Sequence, residues 1–206
     1  MVFTDPPYGV NVKGSKTNGN IAGDLTQVAI PFSFAVAIEA TDENAHFYFC
    51  GGEGNIYLYQ KLFEKFLHSL PKHLVWVKNG FVLKHVGYHN QYELIFYGFK
   101  QGSGDKWCDE RTAEQASDVW FVKRDNTATY VHPTQKPIEI PSRAIKNSSY
   151  EGEIVLDLFG GSGSTLMACE QLNRKCCMME LDPKYVDVII NRWETFTGQK
   201  AVKLSN

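Results

Sequence analysis

The chain lacks the basic excess that phosphate contacts usually bring: 21 lysines and arginines face 23 acids, for a formal net charge of -2. Charge alone therefore does not point to nucleic acid. Long apolar runs are missing too. Stretches such as 34–38 are far too short to span a bilayer, and no basic segment leads into an apolar one at the amino terminus. Membrane insertion and secretion are disfavoured. The five cysteines, Cys50, Cys108, Cys169, Cys176 and Cys177, are odd in number and show neither CxxC nor Cys/His ligand spacing. That argues against a disulfide framework and against a metal site, and fits a reducing, cytoplasmic setting. Internal repeats and low-complexity tracts are absent as well.

There is ample apolar material for a core: of 206 residues, 43% are hydrophobic and 13% aromatic, which suits a single domain spanning 1–206. Apolar runs predict strands near 1–4, 45–50, 73–77, 92–98, 153–158, 174–180 and 200–204. Helical periods fall near 31–41, 55–69, 137–147, 163–173 and 183–197. Such alternation implies an α/β fold of parallel strands joined by crossover helices. Between Val77 and Tyr92 the rhythm fails. The link holds Gly80 and Gly87 without a helical period, so its flanking strands are expected to run antiparallel.

The stretch "IVLDLFGGSGSTLMACEQL", residues 154–172, reads as strand, glycine turn and amphipathic helix. Gly160, Gly161 and Gly163 let the backbone turn tightly and let a ligand approach main-chain N–H groups at the helix start. Taken alone, such a corner is as often purely structural. Glu180, at the end of the next strand in "CMMELDPKY", adds chemistry, because a carboxylate there can accept both hydroxyls of a ribose. The turn departs from a dinucleotide fingerprint: Asp157 and Phe159 precede it, and Leu166 stands where a small residue is needed. An acid at Asp157 repels a pyrophosphate but welcomes an ammonium, which points to S-adenosyl-L-methionine. Thr165 and Leu181, beside these residues, complete the candidate cofactor set on this side.

Four segments in order, "DPPY" at 5–8, "HPTQKP" at 132–137, "DLFGGSGST" at 157–165 and "ELDPKY" at 180–185, resemble the signature set of bacterial and phage DNA amino-methyltransferases. With the catalytic segment ahead of the cofactor segment, the order is similar to the circularly permuted beta group. The resemblance implies a class I S-adenosylmethionine-dependent methyltransferase, Rossmann-like, with a seven-stranded, mostly parallel sheet and one antiparallel strand. In the family's strand numbering the chain would run fourth to seventh, then first to third. The implied reaction moves the cofactor methyl to the exocyclic N6 amine of a flipped adenine in double-stranded DNA, leaving S-adenosyl-L-homocysteine. Cytosine N4 is the alternative target; family members with Asp before the prolines mostly modify adenine. The implied setting is the cytoplasm of a bacterium, or a phage, with or without a restriction partner.

The "DPPY" segment has a physical logic of its own. Asp5 and Pro6 each precede a proline, so both are pushed toward extended angles, and Pro6 and Pro7 have fixed φ. The stiff wall holds the Asp5 carboxylate and the Pro6 carbonyl as two acceptors converging on one amino group, while Tyr8 offers a ring face to a base. An exocyclic amine is a poor nucleophile because its lone pair is delocalised into the ring. Two hydrogen bonds to fixed acceptors favour pyramidalisation and turn the lone pair toward a methyl donor. Positioning of this kind can supply about 7 to 11 kcal/mol. Asp5, Pro6, Pro7 and Tyr8 are thus the candidate catalytic residues, with Asp5 also bordering the cofactor.

In "HPTQKP", His132 and Lys136 each precede a proline, and Pro137 suits the first turn of a helix. By resemblance, Lys136 meets the cofactor carboxylate with help from Thr134; from the residues alone it reads as a solvated lysine at a helix start. Candidate DNA contacts are Lys13 and Lys16 in a Gly/Asn-rich loop, and His89 and Asn90 beside the target base. Lys100, Lys123 and Arg124 lie in a target-recognition insert at about 99–131.

The chain starts four residues before Asp5, and an acid or amide to read the cofactor adenine is not evident after 200–204, where only Ser205 and Asn206 follow. A longer protein, with further DNA-binding mass in another domain or a partner subunit, is expected, and a dimer is compatible with it. Competing readings are a non-catalytic DNA- or cofactor-binding module with the same fold, and a nicotinamide oxidoreductase. A glutamine methyltransferase of the release-factor type has a similar short motif, but with Asn at the first position and the cofactor segment first.

Overall fold

Val2–Thr4, the first strand (β1), is only three residues long, yet it lies inside the sheet, paired in parallel with β2 (His46–Gly51) on one side and β6 (Ile154–Asp157) on the other. The computed structural model of the chain describes residues 1–7, 29–82, 87–100, 107–109, 112, 114–125 and 135–204. The remaining strands are β3 (Lys72–Val82), β4 (Asn90–Phe99), β5 (Val119–Phe121) and β7 (Lys175–Met178). Their order across the sheet is β5-β3-β4-β2-β1-β6-β7. Among the described residues, β4 alone runs against its neighbours; the β1–β2, β1–β6, β6–β7 and β3–β5 pairs are parallel.

Among the described residues, five α-helices flank the sheet: α1 (Ala29–Glu39), α2 (Ile56–Leu67), α3 (Glu139–Ser148), α4 (Ser164–Gln171) and α5 (Pro183–Thr197). Alternation along each strand separates two apolar cores. Val2, Phe47, Phe49, Leu94 and Phe96 pack with Phe34 of α1 and Tyr59 and Phe63 of α2. Phe3, Tyr48, Cys50, Trp76, Ile95 and Val155 pack with Ile140, Ala144 and Ile145 of α3 and Ala168 and Cys169 of α4. The first core is aromatic: Phe34 stacks on Phe49 at 4.7 Å and Tyr59 on Phe96 at 4.2 Å. Each buried ring contributes about 1.5–3 kcal/mol relative to exposure. Among the described residues, no helix is long and apolar enough to cross a membrane.

Seven strands with one reversal match the expected number, but the membership differs. Residues 200–204 form no strand, although their alternation predicted one: Lys200 and the Ala201 N–H donate to the Glu194 carboxylate of the preceding helix rather than to a neighbouring strand, and the side chains lie exposed. The seventh strand is β5, within the stretch assigned to a recognition insert at 99–131. There Trp120 is buried, its indole donating to the Ser117 carbonyl at 3.0 Å, so this part of the insert belongs to the sheet. Strand β3 also outruns its expected end at Val77. The link that holds Gly80 is drawn into the hairpin, which continues to the Val82–Asn90 pair with a register shift on the way.

Candidate active site

The site grows from the carboxyl-terminal rim of β1 and β6. Thr4 ends β1, and its hydroxyl donates to Oδ1 of Asp157 at 2.8 Å while accepting the Leu158 N–H at 3.1 Å. Asp5, the next residue, therefore stands beside the glycine corner rather than remote from it. Pro6 is buried and Pro7 half-buried behind it. Tyr8, Lys13 and Lys16, along with His132 and Thr134, lie outside the described residues.

At the corner, Gly161 and Gly163 adopt left-handed angles, φ +54° and +78°, which a side chain would strain. A Cβ on Gly160 would sit 2.8 Å from Sδ of Met178 and 2.9 Å from Cδ1 of Ile189, so α5 and β7 close on the bare backbone there. Glu180 secures the corner by accepting the Gly161 N–H at 2.7 Å through Oε2 and the Asp182 N–H at 2.9 Å through Oε1. A carboxylate offers about four lone-pair sites, so two remain for hydroxyls. Asp182 caps α5 by accepting from the Lys184 N–H at 2.9 Å, with Pro183 in the first turn.

Asp157 is buried, and burial pushes its carboxyl up to about 7 despite hydrogen bonds from Thr165, the Phe159 N–H and Thr4. It is a structural hub as well as a candidate acceptor, and a cation arriving beside it would restore its charge. Phe159 is half-buried next to it, and Leu181 is exposed beyond Glu180.

The "HPTQKP" segment joins the same site. The Ser164 hydroxyl at the start of α4 donates to the Lys136 carbonyl at 2.6 Å, and the Lys136 ammonium contacts the Asp5 carboxylate. Lys136 is buried at 8% exposure, not solvated; burial opposes its charge, but Asp5 and Glu93 more than compensate and raise its pKa. Its ammonium also lies 3.4 Å from Oε2 of Glu93, whose Oε1 takes Lys78 at 2.5 Å. Neither Lys78 nor Glu93 was singled out by sequence reasoning. A signal was available: each falls two residues from a core position on the α3/α4 face of its strand, Lys78 after Trp76 and Glu93 before Ile95, where an apolar side chain is the rule. Asp5 follows Phe3 on the same face.

The candidate DNA contacts divide. Asn90 begins β4 at the rim that Asp5 occupies and His89 precedes it, its imidazole stacked on Phe81 at 5.1 Å. Lys123 and Arg124 follow β5 at that rim; the Arg124 N–H donates to Asn79 Oδ1 at 3.0 Å and Lys123 is exposed. Lys100 is not brought there. It follows the far end of the reversed strand β4, and its ammonium donates to the Thr41 carbonyl at 2.6 Å beyond α1. No cluster of three or more His, Cys, Asp or Glu arranged to hold a metal occurs among the described residues.

Fold and rim together define an S-adenosyl-L-methionine-dependent methyltransferase. Solved structures share the fold: the complex of M1.HpyAVI with S-adenosylmethionine superposes with a TM-score of 0.71 at 22% identity, covering 93% of this chain and 87% of that one. The PvuII DNA methyltransferase, described as cytosine-N4-specific, gives 0.70 at 18% identity over 93% of this chain and 78% of that one. Residues 1–192 match the sequence model of the N6/N4 DNA methylases, and the chain belongs to that family. Similar curated proteins include the type II methyltransferase M2.DpnII of Streptococcus pneumoniae, 25% identical over 94% of this chain and 82% of its own length. M.HpaI of Haemophilus parainfluenzae is 38% identical over 40% of this chain and 27% of its own length. The cofactor is S-adenosyl-L-methionine, as Asp157 ahead of the glycine corner and the resemblance had implied.

Proposed function

We propose that this chain methylates the exocyclic N6 amine of an adenine swung out of double-stranded DNA. One observation carries the reading: the Thr4–Asp157 hydrogen bond sets Asp5 and the glycine corner on a common rim. When bound, S-adenosyl-L-methionine supplies an electrophilic sulfonium methyl.

The chain's own part is positional. Asp5 and the Pro6 carbonyl accept the two N–H groups of the amine, Pro7 keeps them rigid, and Tyr8 stacks on the base. Flipping the base costs about a few kcal/mol, which stacking partly offsets. Gly160, Gly161 and Gly163 admit the cofactor to the backbone. Glu180 accepts ribose hydroxyls, Phe159 and Leu181 flank the adenine ring, and Asp157, with Thr165 steadying it, faces the ammonium. Thr134 and Lys136 border the cofactor carboxylate. His89, Asn90, Lys123 and Arg124 supply DNA contacts on this rim, Lys13 and Lys16 add further contacts, and another domain or subunit provides the missing basic surface. The working place is the bacterial cytoplasm.

The test is incubation with methyl-labelled cofactor and duplex DNA from a methylation-free host, followed by nucleoside analysis. Label in N6-methyladenine, lost in Asp5→Ala, is the expected result. Label in N4-methylcytosine instead would establish the second reading, kept because a protein of the same fold is described as cytosine-N4-specific. Cofactor binding by calorimetry without any transfer would identify a non-catalytic module.

A further inference from the structure

Behind Asp5 the sheet carries two charges that methyl transfer as outlined above leaves idle. Lys78 and Glu93 point from β3 and β4 toward the α3/α4 face; Lys78 is 6% exposed and Glu93 27%. The sequence of contacts is Asp5, Lys136, Glu93, Lys78, so negative and positive charges alternate along a single line. Burying such a line is costly, and apolar side chains would fill the space at least as stably. Its ordering also has a chemical meaning. The Lys136 ammonium occupies the carboxylate of Asp5, the acceptor that an incoming exocyclic amine needs.

We propose that Glu93, held in place by Lys78, is a positioning residue that receives the Lys136 ammonium when the target amine takes its place on Asp5. This rests on the methyl-transfer function proposed above. The ammonium already touches both carboxylates, so it passes from one to the other without being stranded. Glu93 stays ionised for the role: burial works against its charge, but Lys136 and Lys78 outweigh burial and hold its carboxyl below the usual range. Lys78 is anchored in turn, with its ammonium 5.2 Å from the Trp76 ring centre and its carbonyl accepting from Gln91 at 3.1 Å. Because Lys136 remains cationic throughout, it competes with the amine as a donor and does not act as its base.

The experiment is a single-turnover methyl-transfer assay at saturating cofactor on methylation-free duplex DNA, alongside cofactor binding by calorimetry. Glu93→Gln deprives the ammonium of its second carboxylate, so transfer slows at least tenfold while the cofactor dissociation constant moves less than threefold. Adding Lys136→Met removes the competitor, and the double variant is at least threefold faster than Glu93→Gln alone. A merely structural network shows the loss and the rescue in thermal melts and in cofactor affinity together, whereas the relay shows them in the transfer step with cofactor affinity nearly constant. If Glu93→Gln does not fold, Lys78→Met/Glu93→Gln, which strands no cation, replaces it. A wild-type rate in the Glu93 variant, or a double variant slower than the single one, overturns the proposal. If the wild-type chain transfers no methyl at all, the proposed function fails, and equilibrium binding of duplex DNA to the cofactor-loaded protein decides the network separately. Tenfold weaker binding in Glu93→Gln, regained with Lys136→Met, supports the relay; unchanged binding refutes it.

Discussion

Thr4 and Asp157 are 153 residues apart in sequence, and the hydroxyl of one donates to the carboxylate of the other at 2.8 Å. The same oxygen accepts the Leu158 N–H, so a single side chain joins the acceptor segment to the cofactor corner. Thr4→Val removes both bonds and leaves buried polar groups unsatisfied. The expected loss of stability is about 1–3 kcal/mol, read from denaturant unfolding, with methyl transfer reduced more than cofactor binding.

The elevated pKa of Asp157 has a sign that can be checked. Its folded value, about 7, lies above the ordinary carboxylate value, so the native state binds more protons than the unfolded chain between the two. Stability of the cofactor-free protein therefore falls as pH rises through that window, by at most about 1.4 kcal/mol per pH unit. Affinity for the ammonium-bearing cofactor moves the other way, strengthening as pH rises toward 7 and then levelling. Asp157→Asn flattens both profiles, in thermal melts and in calorimetry across pH 5 to 8.

Gly163→Ala meets two obstacles at once: a left-handed φ of +78° and a Cβ 3.2 Å from Ile189. A destabilisation of about 1–2 kcal/mol is expected from the backbone alone. Gly160→Ala is limited by packing instead, since the new methyl collides with Met178 and Ile189. Its cofactor affinity should fall further than its stability, as compared by calorimetry and thermal melts.

Glu180→Gln keeps shape but replaces one acceptor oxygen with a donor facing a backbone N–H. Losing a charged hydrogen bond costs about 1.5–3 kcal/mol, so cofactor binding weakens roughly 10- to 100-fold. Asp182→Ala, two residues on, loses only a helix cap and costs about 1 kcal/mol of stability with cofactor affinity nearly unchanged. Unequal effects on binding, measured side by side, separate a ligand-facing carboxylate from a capping one.

The glycine corner, the place of Glu180 just after β7 and helix α5 were all legible in sequence, because each depends on local chemistry: bare backbone, a strand-end acid, and the Asp182-Pro183 helix start. Strand β5 was not. Its three residues sit among charges, and only pairing with Val75–Val77 of β3 makes them a strand. The reverse error at 200–204 has the same root, since alternation without a partner does not make a sheet. Lys78 and Glu93 escaped because a charge on an inward strand position acquires meaning only when Asp5 and Lys136, distant in sequence, arrive opposite it.

The placement of β1 between β2 and β6 also shapes how the chain must be built. At roughly 5–20 residues per second, a ribosome needs many seconds after finishing the first strand before the segment that flanks it on its second side exists. During that interval Val2–Thr4 lacks its β6 neighbour, so the acceptor pair at Asp5 and Pro6 matures late, when Ile154–Asp157 finally docks. Pulse-labelled nascent chains should stay sensitive to protease around Asp5 until that docking, in keeping with slow closure of distant contacts.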